Sequence, residues 1–563
     1  MALVTTSYEA YSNGLARPWA ESELVWPWDR AGTLWIANNQ LENKPMGADS
    51  WPKTMGEICE ISDSGINPVL PLLRAECVEK ANSRIASATV DLGAYPVNRR
   101  YPLGHPFESF GSGWSSLAID PEIAHTWTEL PPIINTQLRY AVSPHSLVYF
   151  RLGLRRDLAA WHDDPYGLNL PLSDQEVDLN EPSLGYFHAE NEHFAFTLGR
   201  FQVHWSPSPD FGLALSQSVP YHNAAEFRLK MPHGRYRFLV SSLNPWLEGT
   251  PLGDSSSSDF PPGSEEYRQR HYADEHQASN AHKRVYADRI KTLFAHRLEA
   301  NVGPASLGIT ETEIIGGKVP DLRDGNPFVF FHNDFKDGYT NLALSFDGKV
   351  RLPMGLSLLG ELLLDDVRYA ETEGGNGTPS LVGYLGGLFH TFAVRGWVFT
   401  HSIQAIRTDP FLYGYLLPLN TLASRHVLTS NFQGPDKPEI IDKLVVDYPL
   451  GYLRGGDALD FWYKLDAFHG RELDLSLTLG MLSQGEMDLH RPYEDYYTSG
   501  HDSPSGIAEK EFRARLDGRY RLGRGLEAHA GLGWQSINDL GHVSGQYAEH
   551  LEGALGIAWT FPH

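Results

Sequence analysis

From Ile133 to the C-terminus, the sequence changes character at every second residue, in runs of about ten residues broken by turn signals. The stretch EFRARLDGRYRL is the sharpest case. Glu511, Arg513, Arg515, Asp517, Arg519 and Arg521 occupy one set of alternate positions, and Phe512, Ala514, Leu516, Gly518, Tyr520 and Leu522 the other. Period two is the signature of a β-strand, whose successive side chains point to opposite faces. One face is therefore apolar and the other charged. A soluble antiparallel sheet with one wet face fits this pattern, and so does a membrane barrel with lipid outside and a watery lumen.

The other strand signals decide between these two. They include IINTQLRYAV, SLVYFRLGLRRDL, HFAFTLGRFQVHW, AAEFRLKMP, GRYRFLVSSL, TLFAHRLEANV, TNLALSFDGKVRL, GWVFTHSIQAI, LDFWYKLDAF, LEAHAGLGW and HLEGALGIAWTF. Short turns alternate with longer polar connections, as in outer-membrane barrels. In GLSLLGELLLDD, Leu356, Leu358, Leu362 and Leu364 share the apolar face, with Glu361 and Asp365 together on the other. In LEAHAGLGW, Leu526, Leu532 and Trp534 oppose Glu527, His529 and Gln535. A soluble chain of 563 residues would need several sandwiches joined by linkers, and no linker interrupts this run. The expected fold is an all-β transmembrane barrel of about 16–18 antiparallel strands. Glu361, Asp365, Glu511, Arg513, Arg515, Asp517, Arg519 and Arg521 then form a lumen-facing charged network in which acids pair with arginines.

Residues 1–130 differ from the rest. They hold both cysteines, Cys59 and Cys77, many Pro- and Gly-bearing turns, and a helix candidate in VLPLLRAECVEKANSRIASA. This region is read as a small mixed or helical periplasmic or plug segment, with residues 131–563 as the barrel. In an oxidising periplasm the cysteines can form a disulfide. The opening MALVTTSYEAYS lacks the basic and apolar stretches of a signal peptide, so the chain is read as starting at a mature form. No apolar run reaches the length of about 18 residues that a transmembrane helix needs.

The composition narrows function further. A net charge of −24 excludes a basic nucleic-acid-binding surface. No nucleophile elbow, His-Glu-x-x-His or phosphate-binding loop occurs, so nothing argues for an enzyme. His271, His276 and His282 in the long loop at 248–282 lack metal-ligand spacing, and neither a metal nor a cofactor is expected. The aromatic-rich stretches HRPYEDYYTSGHDSP (490–504) and DPFLYGYLLPLN (409–420) are candidates for sugar contact.

Several stretches together resemble the Wzi capsule-assembly family of outer-membrane proteins. They are LGRFQVHWSPSPDFGLALSQSVP, AHRLEANVGPASLGITETEII, GNPFVFFHNDF with TNLALSFDGKVRLPMGLSLLGELLLDDV, and VDYPLGYLRGGDALDF, in that order. The matching positions include Gly199, Arg200, Trp205, Arg297, Glu311, Asn326, Asn341 and Glu361. The resemblance implies an outer-membrane location in a Gram-negative bacterium, an occluded barrel, and a lectin-like, non-enzymatic role holding capsular polysaccharide or exopolysaccharide. The expected partners are surface polysaccharide, outer-membrane lipid and lipopolysaccharide, the barrel-assembly machinery, and an envelope protein complex. Two other roles suit the same architecture: a porin or uptake channel, and a structural subunit of a larger envelope complex.

Overall fold

The computed structural model describes residues 23–42, 50–59, 67–81, 86–95, 104–110, 114–143, 145–164, 166–178, 180, 183–243, 290–321, 323–329, 340–366, 381–414, 418–430, 441–487, 489 and 503–562. In chain order, β1 (Leu24–Val25), α1 (Arg30–Glu42), β2 (Lys53–Thr54), α2 (Met55–Cys59) and α3 (Leu70–Ala81) precede β3 (Ala86–Ala94). Next come β4 (Gly104–Phe110), β5 (Trp114–Ile119), α4 (Pro121–Glu129), β6 (Ile134–Ser143), β7 (Ser146–Leu154) and α5 (Leu158–Asp163). The series continues with β8 (Leu184–Glu190), β9 (Phe194–Phe201), β10 (His222–Met231), β11 (Gly234–Ser242), β12 (Lys291–Val302), β13 (Ala305–Gly316), β14 (Thr340–Leu352), β15 (Leu356–Asp366), β16 (Leu381–Val394) and β17 (Trp397–Thr408). It ends with β18 (Ala423–Thr429), β19 (Ile441–Pro449), β20 (Ala458–His469), β21 (Leu473–Gln484), β22 (Glu509–Gly523), β23 (Leu526–Asn538) and β24 (Tyr547–Pro562).

β3, β6 to β17 and β20 to β24 close into an antiparallel barrel of 18 strands. Closure leaves no unpaired strand edge, which lipid would not tolerate. The seam joins the last strand to the first, with Pro562 opposite Ser87 and Leu555 opposite Ala94. β3 therefore belongs to the barrel, which begins at Ala86, ahead of the boundary expected after residue 130. The expected helix runs on to Ala88 for the same reason: ASATVDLGA is small and weakly alternating, so its period is hidden. The observed helix stops at Ala81.

The alternation reads out as the sequence implies. Leu516, Tyr520, Leu522, Leu532, Leu551, Leu555, Ile557 and Trp559 point outward and are exposed, Leu551 by 76% and Leu555 by 70%. Similar residues recur around the barrel, such as Leu198, Leu298, Ile309, Leu358, Ile403 and Phe461. An apolar surface of this extent on a closed barrel belongs against lipid. Short connections, such as 232–233, 303–304, 395–396 and 524–525, lie at one rim, together with the start of β3 and the end of β24. The strand ends joined by the long connections 202–221, 243–290, 409–457 and 485–508 lie at the other. In outer-membrane barrels the short-turn rim faces the periplasm.

The lumen is filled from both ends. At the short-turn rim, Leu34, Trp35, Met55, Ile58, Val69 and Leu73 of the N-terminal unit pack against Val398 and Phe468 of the barrel wall. Cys59 and Cys77 are joined in a disulfide that ties α2 to α3. The unit threads upward into the barrel, where fully buried Arg228 and Arg237 clasp it: both guanidinium groups donate to Pro52 O at 3.2 Å, and Arg237 also to Ser50 O at 3.0 Å. Their charge is balanced by buried Glu226, 3.0 and 2.9 Å away. From above, the 202–221 hairpin descends to meet this unit, and Trp51 and His204 exchange backbone hydrogen bonds of 2.7 and 3.2 Å. A sheet in the order β18-β19-β5-β4, with β19 and β5 parallel, covers the long-loop side.

Candidate functional site

At the long-loop rim, Arg200, Tyr221, Asn223, Ser242, Arg425, His426 and Asn180 line a polar cleft of about 240 Å³. Its position follows from local geometry at the top of β9. Gly199 has φ +130°, and a Cβ there would lie 2.3 Å from Gly185 O, so only glycine lets β9 run this close to β8. The next residue, Arg200, projects at the rim and donates from Nε to Asn223 Oδ1 at 2.9 Å. Its guanidinium lies 4.1 Å from the centre of the Tyr221 ring. Tyr221 in turn stacks on His426, with centroids 4.3 Å apart and planes inclined by 28°.

The far wall is braced by Arg425, which donates from Nε and Nη2 to the two carboxylate oxygens of Asp447, its β19 partner, at 2.8 Å each. Asn180 locks the cleft edge to β18 by accepting from Thr429 N at 2.8 Å and donating to Thr429 O at 3.2 Å. Burial, with His222 and Arg200 nearby, pulls the His426 pKa down from 6.5 to about 3, so the ring is neutral at physiological pH. The cleft thus presents a cation on an aromatic face, amides and hydroxyls. This chemistry suits a hydroxyl-rich ligand bearing acidic groups.

The other sequence-predicted positions fall elsewhere. Trp205 is wholly buried on the hairpin and serves packing. Glu361 and Asp365 face the lumen as expected, but the expected arginine partners are not what Glu361 meets. Its carboxylate accepts from Leu213 N and Ala214 N at 3.0 Å each, from Ser206 Oγ at 2.7 Å and from Ser345 Oγ at 3.3 Å. The hairpin brings backbone amides beside β15 that need an acceptor, and a carboxylate satisfies them where an arginine could not. Asp365 accepts from Tyr413 N at 3.2 Å. Arg297 is clamped by Asp347 at 2.6 and 2.9 Å and by Glu299 at 2.8 Å. Glu311 is buried in β13, Asn341 donates to Asn420 O at 2.9 Å, and Asn326 forms a turn by accepting from Phe328 N at 3.0 Å.

The charged ladder on β22 is present and pairs largely with its neighbours. Glu511 meets Arg513 at 2.7 Å and Arg454 at 3.1 Å; Arg515 meets Asp517 at 2.7 Å; Arg519 meets Glu527 at 3.0 Å; Arg521 meets Asp474 at 2.7 Å. Asp474 also binds Arg30 at 3.2 Å, linking the ladder to the N-terminal unit. Arg515, Asp517 and Arg519 remain 39%, 41% and 55% exposed, while Arg228 and Arg237 across the lumen are fully buried. The lumen thus has a packed side at β10 to β15 and a wet strip along β22 to β24.

Among the described residues the 409–420 aromatics do not reach solvent; Tyr415 lies outside them. Phe411 and Tyr413 are buried, and Tyr413 donates its hydroxyl to Leu213 O at 2.8 Å. The 248–282 loop with its histidines and residues 490–502 lie outside the described residues. Tyr221, Asn223, Arg425 and His426 escape a reading of the sequence because the cleft joins residues more than 200 positions apart in the chain.

No protein-family model matches the sequence, and no curated protein does. Among solved structures, the chain is similar to Escherichia coli Wzi, described as an outer-membrane protein involved in group 1 capsule assembly and a carbohydrate-binding β-barrel. The TM-score is 0.52 at 12% identity, covering 96% of this chain and 99% of that one. Pseudomonas aeruginosa OprD matches at TM-score 0.36 and 10% identity, over 84% of this chain and 95% of that one. The outer-membrane channel DcaP of Acinetobacter baumannii matches at 0.30 and 8%, over 84% and 96%. The Wzi likeness shows the fold, a closed β-barrel of the outer-membrane type. That likeness points to a Gram-negative outer membrane. The two channels are too distant to bear on its activity.

Proposed function

We propose that this protein is a plugged outer-membrane barrel that binds capsular or exopolysaccharide at its cell-surface rim, lectin-like and without catalysis. The observation that carries this reading is the rim cleft: partly exposed Arg200 and Tyr221 stacked over buried His426 and ringed by amides and hydroxyls, set over a lumen filled by the hairpin and the N-terminal unit. Arg200 supplies guanidinium donors for sugar oxygens, and Tyr221 supplies an aromatic edge for the ring. The likeness in fold to Wzi, itself a carbohydrate-binding barrel, supports the same reading. The outward apolar band contacts lipid and lipopolysaccharide.

Retention of purified surface polysaccharide by the detergent-folded protein tests it. Arg200→Ala and Tyr221→Ala should each weaken retention about tenfold, or ~1.4 kcal/mol, with the barrel still folded. Unchanged retention in both variants would remove the cleft from the account. A second reading, a solute channel, is favoured by one observation, the wet strip of Arg515, Asp517 and Arg519 along the wall.

A further inference from the structure

A second cavity, of about 330 Å³, lies within the barrel between β20 to β22, α4 and the 202–221 hairpin. That volume is at the lower end of ordinary small-molecule sites, which start at about 300 Å³. Two partly exposed aromatic rings form its apolar wall: Trp462 from β20 and Phe211 from the hairpin, with centroids 5.3 Å apart and planes inclined by 53°. The Arg513 guanidinium lies 5.0 Å from the centre of the Trp462 ring, so the cavity offers a ligand the remaining exposed parts of the two rings, apolar surface that is costly to leave wet.

The polar groups around these rings are set in place by one another. Asp460 Oδ2 accepts from Tyr452 Oη at 2.6 Å and from Trp462 Nε1 at 2.5 Å, which fixes the indole plane. Asp210 accepts from Lys464 Nζ at 3.1 Å and from Gln404 Nε2 at 2.8 Å. Among the described residues, two of the lining residues each hold a buried polar atom without a hydrogen-bond partner: Asp460, only 2% exposed, at Oδ1, and Arg513 at Nη2. A buried acceptor and a buried donor left unpaired together are an expensive arrangement unless a ligand completes them.

The charges indicate which ligand. The cations here are already neutralised: Lys464 by Asp210 and Asp466 at 3.1 and 3.4 Å, Arg513 by Glu511 at 2.7 Å, and Arg454 by Glu122 and Glu511 at 2.6 and 3.1 Å. Among the described residues no surplus positive charge remains for a carboxylate. We propose that this cavity binds a neutral sugar residue, its ring against Trp462 and Phe211 and its hydroxyls on Asp460 Oδ1 and Arg513 Nη2. Glu129 at the cavity edge has a side chain 67% exposed, and the wet strip below Arg513 supplies the approach. The site is separate from the rim cleft and stands without it.

Isothermal titration of the detergent-folded full chain with glucose and maltose, and with glucuronate as the anionic probe, tests the proposal. Saturable one-site binding of glucose or maltose is expected. Trp462→Ala and the isosteric Asp460→Asn should weaken it at least tenfold, and Tyr221→Ala should leave it unchanged. Heat-modifiable gel mobility verifies folding of each variant, and Asp460→Asn alone decides if Trp462→Ala does not fold. Three results would overturn the site: no saturable binding of either neutral sugar, equal binding in the variants, or a preference for glucuronate. Polysaccharide retention measured on the same samples reports the rim cleft separately, so either site can fail without the other.

Discussion

Arg515 and Leu516 are neighbours on β22 and face different solvents. Arg515 reaches into the lumen and pairs with Asp517, while Leu516, opposite Leu477 and Leu532 on the adjoining strands, is 52% exposed on the lipid side near the middle of the strand. Leu516→Arg should destabilise the folded barrel in bilayers by ~2–4 kcal/mol, and Arg515→Leu should leave insertion intact. Equal folding free energies for the two would reverse the assigned faces. Two histidines make a second prediction at this scale. His204 on the hairpin is buried, donates from Nε2 to Ser208 O at 2.5 Å and has its pKa lowered from 6.5 to about 4; that of His426 falls to about 3. Because the folded-state values are depressed, the unfolded chain takes up protons first. The stability held by the neutral rings is full above about pH 6.5 and lost as pH falls through that value toward 4 and 3. Denaturation midpoints measured from pH 7.5 to 4 should fall, and fall less in His426→Phe; a flat profile would contradict the buried neutral rings.

At the scale of elements, the hairpin and β15 depend on each other. Glu361 satisfies two backbone amides and a hydroxyl of a segment that enters from the far end of the barrel. Glu361→Ala would leave those donors unpaired in a dry interior, at a cost of about 2–4 kcal/mol, and Glu361→Gln, which retains an acceptor oxygen, should cost less. Limited proteolysis of the 202–221 segment checks the release, and identical cleavage rates would show that the hairpin is held by packing alone. The carboxylate itself is legible in the sequence, since period two places Glu361 and Asp365 on the lumen face. Its partners are not, because they arrive on a chain segment some 150 residues away. The same distinction runs through the fold. Strands such as β15, β22 and β23 carry strong alternation and are readable. β3, rich in Ala, Ser and Gly, is not, and neither are β4, β5, β18 and β19, whose sheet is defined by partners distant in the chain. On β20 the signal is there to be used: LDFWYKLDAF puts Asp460, Trp462 and Lys464 on one inward face.

For the molecule as a whole, closure and filling pull in one direction. Barrels of about 16–18 strands normally leave an aqueous channel, and this one fills that space with the disulfide-tied N-terminal unit, the hairpin and a capping sheet. Arg228 and Arg237, which clasp the incoming backbone, have their charge balanced by Glu226 in the wall itself, so removing the filling would take away their hydrogen bonds to Ser50 O and Pro52 O and leave buried donors unpaired. What remains wet is a strip on one side, ending at the Arg30, Asp474 and Arg521 cluster near the short-turn rim. We therefore propose that the barrel is occluded and works from its outer surface. Single-channel conductance of the purified protein in a planar bilayer, with and without surface polysaccharide, tests this most directly. A correctly folded barrel that stays electrically silent and still retains polysaccharide is the predicted result. Stable open steps of porin size would contradict it and put the channel reading first.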